Sequence, residues 1–309
     1  MNLKERIKKI FTKAIPLWMV VILILQSTTI FGLFQYYVLK KYINEQIITI
    51  AKEKNPEKLA LVLRQEVLPQ NGYILGVTWS DIGKDLIDAE VIDKQKYEQL
   101  FAQDSGDNAM MKYMTHSSRE HMMVNEANSH FMVNTLWALG LVNKNNLLDE
   151  GQMHSDDPMQ FASTGGWSLG SKPTRELYSS QQLIQLTVQQ QALVKRIADT
   201  MFRPCCDNPT SFPDCNHGMA ALGYIELAVK QGVPEKRIYK DVLALNSYWF
   251  PQQYVSLATY FTQQKTDWND VDAKLALSQQ YSSAQGASQV QQQLQPASGG
   301  NSQGGGCSA

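Results

Sequence analysis

Charge of one sign is missing from this chain: 28 lysines and arginines stand against 29 aspartates and glutamates, leaving a net charge of -1. No basic stripe interleaved with aromatics runs along it, so nucleic acid is excluded as the expected partner. Regular alternation of strands with helices is also missing, which removes the parallel sheet of an α/β enzyme. Cysteine is scarce, with four residues in 309. Their order, Cys-Cys-x8-Cys-x-His and then a lone Cys307, fits none of the usual zinc-finger spacings. A C-terminal lipidation box is absent too, because Cys307 is followed by only two residues.

What the chain does have is 43% hydrophobic residues and enough length for one large domain or two small ones. No charge falls between Ala14 and Leu39, and Ile15 to Leu25 is almost wholly apolar. Roughly 20 apolar residues span a bilayer, so residues 14–39 read as a transmembrane signal-anchor, with Trp18, Tyr36 and Tyr37 as interfacial aromatics. The basic excess before it (Lys4, Arg6, Lys8, Lys9, Lys13) places residues 1–13 in the cytoplasm. The remainder is then an extracytoplasmic domain over 40–278 of a cell-membrane, single-pass protein. Residues 279–309, rich in Gln, Ser and Gly, read as a disordered tail that ends in Cys307.

The domain reads as mainly α, irregular, with little β structure. Tyr73 to Trp79 is the one strand candidate, β-branched and aromatic after Asn71-Gly72. Helices are expected over Glu57–Val67, Asp81–Val91, Asp93–Phe101, Phe131–Val142, Ser180–Phe202, Cys215–Gln231, Glu235–Leu245, Tyr254–Gln264 and Asp267–Tyr281. Phe131 to Val142 is apolar all round, the mark of a central buried helix. Between residues 110 and 132, six methionines are interleaved with His116, His121 and His130. Thioether with imidazole is a copper ligand set. No single helical face gathers those groups, and methionine also fills irregular cores, so packing is the preferred reading.

Two stretches carry chemistry. Gly166-Trp167-Ser168-Leu169-Gly170 satisfies G-x-S-x-G, which makes Ser168 a nucleophile with His217 as base, oriented by Asp199 or Asp214. That motif needs a strand before it and a helix after it. Met159–Ser163 is a poor strand and Pro173 follows too soon. The glycines Gly165 and Gly166 then serve a tight turn, with Trp167 packed inward.

The second stretch is Arg203 to Met219, where Cys205, Cys206, Cys215 and His217 share a loop stiffened by three prolines. Two or three sulfurs with an imidazole suit tetrahedral zinc or trigonal Cu(I). Cys215 opens a helix, whose N-terminal partial charge favours its thiolate, while Asp214 opposes this or caps the helix. The leading expectation is a thiol site for a soft metal, Zn or Cu, or for disulfide exchange, made by Cys205, Cys206, Cys215 and His217. Cys307 would be its partner on an arm of roughly 28 residues, with an r.m.s. reach near 30 Å. The alternative is a structural or interaction module whose loop is closed by a Cys206–Cys215 or Cys205–Cys215 disulfide, worth about 2–3 kcal/mol. Its partners would be the membrane, another copy of the chain, or an unidentified protein.

Overall fold

The computed structural model describes residues 31–39, 42, 56–102, 105–154 and 157–294. The chain divides into two units, Met1–Leu59 and Ala60–Ala309. In the first, residues 31–39 form a helix.

This corrects the membrane anchor expected over 14–39. Among the described residues no helix is long and apolar enough to cross a membrane. The described part is one nine-residue helix, about 14 Å at 1.5 Å per residue, less than half the hydrocarbon thickness. Gln26 to Thr29 interrupt the apolar run that precedes it, and Gln35, Tyr36 and Tyr37 dilute the helix itself. Residues 14–30 and the basic segment lie outside the described residues. The single-pass topology, the cytoplasmic N-terminus and the extracytoplasmic placement of the main domain rested on that anchor and fall with it.

The second unit is mainly helical, as its composition led us to expect. Helix α1 (Pro56–Val67) begins in the first unit, and the longer helices that follow are α2 (Ile82–Asp88), α3 (Lys94–Phe101), α4 (Ser129–Val142), α5 (Val188–Ala198), α6 (Asn216–Lys230), α7 (Glu235–Trp249), α8 (Pro251–Gln263) and α9 (Ala284–Leu294). Short single-turn helices connect them. Two strands, β1 (Tyr73–Ser80) and β2 (Ser118–Val124), pair antiparallel, with Tyr73 opposite Val124 and Ser80 opposite Ser118.

α4 and α6 form the centre. Every residue from Phe131 to Val142 and from Gly218 to Val229 is buried. The two helices cross at Gly140 and Gly223. A Cβ on Gly223 would fall against the Leu136 carbonyl and 3.1 Å from the Gly140 Cα, and one on Gly140 would fall against the Met219 carbonyl. Only glycine permits that approach of backbone to backbone.

β1 has a strand on one side only, and side chains of the helical layer cover the other. Thr78 N donates to Gln231 Oε1 (2.8 Å), and Gln231 Nε2 returns a bond to Thr78 O (3.0 Å). Gly76 N donates to Asp241 Oδ2 (2.9 Å), and Arg237 donates to the Ile74 carbonyl. A protected edge of this kind keeps the strand from pairing with another chain. The β2 segment is the Met/His stretch. Met114, Met122 and Met132 are fully buried, Met110, Met111 and Met123 are half-buried, and His116, His121 and His130 are exposed, so the buried thioethers are packed apart from the imidazoles.

Three expected elements differ. The helix expected over 180–202 starts only at Thr187, whose side chain makes a capping box with Gln190. Residues before it are drawn to the end of α4, where Asn143 bridges Gln181 and its Oδ1 accepts from Ile184 N (2.8 Å). The helix expected over 267–281 is three short pieces, the first two opened by side-chain caps at Asp267 and Asp272 and the third starting after Ser278. Residues 279–294, expected to begin the disordered tail, are helical. They bury Ser282, Gly286, Ala287 and Val290, and α9 packs against α8. Small residues pack closely without the apolar mass that a composition-based reading registers. Residues 295–309, including Cys307, lie outside the described residues.

Glu226 sits mid-helix in α6, fully buried, and accepts bonds from Asn143 Nδ2 (2.8 Å) and from Asn145 Nδ2. Burial drives its carboxyl up from an ordinary 4.5 to about 8, against the two amide bonds, which act to lower it. A carboxyl raised in the folded state binds more protons folded than unfolded. Its contribution is therefore fully present below pH 4.5 and is lost as pH rises towards about 8. Glu226→Gln should remove that slope. Chemical denaturation between pH 5 and 9 should show wild-type stability falling relative to the variant, by up to about 1.4 kcal/mol per pH unit, and then levelling above about 8.

Candidate metal and thiol site

The cysteine loop runs from the end of α5 to the start of α6 and is held from three sides. Thr210 N and Oγ1 both donate to the Met201 carbonyl (2.8 and 3.0 Å). Ser163 N donates to the Asp214 carbonyl (3.1 Å), tying in the glycine-rich segment. Ala284 N donates to the Cys206 carbonyl (2.9 Å), and Asp207 Oδ1 accepts from Gln285 N (2.8 Å) at the start of α9. The residues expected to form a free tail are thus a wall of the site.

Cys215 is the N-cap of α6 and its sulfur collects three donors. Gly218 N lies 3.3 Å away, Arg203 Nε 3.1 Å and Cys205 Sγ 3.3 Å. Hydrogen bonds from Cys205 and Cys206, then the Arg203 charge, hold its thiol well below the ordinary range, against the opposing effect of burial. Cys205 is displaced the other way: as hydrogen-bond donor to Cys206 and Cys215, and by burial, it keeps its proton far above that range. For Cys206 the Cys205 bond acts downward, but the Cys215 bond and burial outweigh it and push the thiol up to about 12. The shifts run in opposite directions: Cys215 is drawn towards the thiolate, while Cys205 and Cys206 are held towards the thiol.

Arg203 is the residue the sequence reading passed over. Its side chain is 1% exposed, and every nitrogen is engaged. Nε reaches Cys215, Nη1 reaches Asn208 O (2.8 Å), and Nη2 reaches Phe212 O (3.2 Å) and Asp214. Asn208 Nδ2 supplies Asp214 Oδ2 with a second bond (2.9 Å). A buried guanidinium is tolerable only when paired and fully bonded. The space for it comes from Gly218, where a Cβ would lie 2.5 Å from Arg203 Cζ.

His217 lies against Phe250 (4.5 Å between ring centroids) and Trp249 (5.6 Å). Its Nδ1 is buried and makes no hydrogen bond. Two groups of ligand atoms result, each lying within 4.8 Å of one another: Cys205, Cys215 and His217, and Cys206, Asp214 and Cys215. The expected ligands are therefore brought together, but Asp214, expected only as a supporting residue, enters as a ligand atom in its own right. Cys205, Cys206 and Cys215 are free, and the 3.3 Å Cys205–Cys215 contact is non-bonded, so among the described residues no disulfide closes the loop.

The hydrolase geometry is not present. Ser168 is exposed in an irregular segment between the single turns Ala162–Gly165 and Thr174–Leu177, with no strand leading into it. Asp199 is ion-paired with Lys195 (2.7 Å) and Asp214 with Arg203. Trp167 is buried, donates Nε1–H to Val91 O (2.9 Å) and packs edge-on to Trp137 at 4.9 Å. At Gly165 and Gly166 a Cβ would meet the carbonyls of Met159 and Ala162.

No protein-family model, no curated protein and no solved structure matches this chain. The arrangement, a Cys/His cluster close enough to hold a metal ion, therefore stands on its geometry.

Gly218→Ala should force Arg203 from its place, at an overpacking cost of about 1–3 kcal/mol measured by denaturant unfolding. The same variant should lower the alkylation rate of Cys215 at pH 7, because the thiolate loses its counter-charge.

Proposed function

We propose that this protein binds a soft d10 cation, Zn2+ or Cu(I), through Cys205, Cys215 and His217. The observation that carries the reading is the convergence of those three ligand atoms within 4.8 Å; it is supported by the downward displacement of the Cys215 thiol and by a buried imidazole nitrogen without a hydrogen bond. Tetrahedral zinc with Zn–S of about 2.3 Å separates two sulfurs by about 3.8 Å. The 3.3 Å contact needs to open only slightly to admit the ion. Metal entry releases the Cys205 proton, because the ligand is the thiolate. Arg203 partly neutralises the negative charge of the sulfurs. Cys307 is assigned the part of a second thiol that delivers or removes the ion.

A second reading has its own support in the Cys205–Cys215 contact. Cys215 thiolate would attack an external disulfide and expel one thiolate. Cys205 would then lose its proton, attack the Cys215 sulfur of the mixed disulfide and expel the second. The 8% exposure of Cys215 weighs against a protein-sized disulfide as substrate.

The test is elemental analysis with thiol counting on the full chain purified anaerobically. The metal reading predicts about one zinc or copper per chain, lost in Cys215→Ser and retained in Ser168→Ala. Cys307→Ser should keep the ion but slow its transfer to a chelator. Thiols that cycle with a glutathione buffer in metal-free protein would favour exchange. Loop sulfurs that neither titrate nor bind metal would contradict both.

A further inference from the structure

The two ligand groups are not separate sites, because Cys215 belongs to both. Cys205 and His217 approach its sulfur from one group, and Cys206 and Asp214 from the other. A thiolate sulfur has lone pairs enough to bind two cations at once. Asp214 has capacity as well: each of its oxygens carries one hydrogen bond, from Arg203 or from Asn208 Nδ2 (2.9 Å), and a carboxylate offers about four acceptor directions. The adjacent cysteines, which rarely serve one ion comfortably, here belong to different groups.

We propose that the site is dinuclear, binding a pair of Cu(I) ions bridged by the Cys215 sulfur, one completed by Cys205 and His217 and the other by Cys206 and Asp214. The inference rests on the metal reading above and extends it to a second ion. Charge selects the occupant. With all three sulfurs ionised, the thiolates and Asp214 carry four negative charges, and Arg203 returns one positive. Two monovalent ions leave a single negative charge, and so does one divalent ion. Two divalent ions would leave an excess of positive charge beside a buried guanidinium, the more costly arrangement. Soft thiolate ligation favours Cu(I) in the same direction. The pair should therefore form with Cu(I), while Zn2+ should stop at one. Loading displaces the protons of Cys205 and Cys206, and no electron transfer is involved.

The experiment is anaerobic titration of the full chain, in a Cys307→Ser background, with Cu(I) buffered by a competing chelator, followed by copper X-ray absorption. We expect two Cu(I) per chain with a copper–copper scattering shell, and one Zn2+ per chain in a parallel titration. Cys206→Ser, which leaves the Arg203–Asp214 pair in place, should reduce the copper count to one and abolish that shell. Cys215→Ser should abolish the shell and weaken both ions. A single Cu(I) in the parent protein, unchanged by Cys206→Ser, overturns the dinuclear inference and leaves the mononuclear reading standing. Two copper ions without a copper–copper shell also overturn it, since they share no bridge. Failure to bind either Cu(I) or Zn2+ removes both.

Discussion

The contact between Gly140 and Gly223 sets the position of everything else in the main unit. Side chains normally keep helix axes 8–10 Å apart, and here two glycines let the backbones of α4 and α6 touch. With that crossing fixed, the two ends of α6 are fixed as well. Its C-terminal end presents Gln231 to the open edge of β1. Its N-terminal end presents Cys215 and His217 to the cysteine loop. Cys215 and His217 thus stand at the start of the central buried helix, and the opposing thiols and Asp214 stand on the loop. That loop is in turn clamped by bonds to Met201, Ser163 and Ala284.

Charge at the loop is arranged with the same economy. Arg203 is 1% exposed, and its burial is offset by Cys215, Asp214 and two carbonyls. The thiolate in turn depends on Arg203. Removing either partner strands the other charge in a low-dielectric interior, an outcome that costs more than the pair contributes. A loop with no other role would be held as well by apolar residues of the same volume. Glu226, bonded by Asn143 and Asn145 farther along α6, is a buried acid that ties α4 to α6 and takes no part in the site.

Much of the helical scaffold was legible because its signals are local. Phe131–Val142 is apolar all round, Asp93 is a capping residue in the right place, and Gly232 with Pro234 stops α6. β1 announces itself by β-branched and aromatic residues after a turn. β2 does not, because of its seven residues only Val124 is β-branched; its other buried position is Met122, a residue with no strand preference. The convergence of Cys205, Cys215 and His217 followed from a short loop between two expected helices. Arg203 was not legible, since an arginine at a helix end ordinarily points to water and caps carbonyls. Its burial is set by a space fifteen residues away, and the only trace in the sequence is Gly218 in the first turn of an apolar helix. The part of residues 279–294 was hidden for a related reason, as Ala287 and Val290 bury little surface each but fit closely. The membrane reading treated the polar Gln26–Thr29 as tolerable within a span, and among the described residues no helix is long and apolar enough to cross a membrane.

The central claim is that sulfur and imidazole from α6 and its loop ligate one and the same ion. X-ray absorption at the zinc edge of the full chain, loaded with a single equivalent of Zn2+, tests this most directly. The account predicts a mixed first shell with sulfur at about 2.3 Å and nitrogen at about 2.0–2.1 Å, losing sulfur in Cys215→Ser and the imidazole signature in His217→Ala. A shell of oxygen and nitrogen alone, unaffected by either substitution, would contradict it.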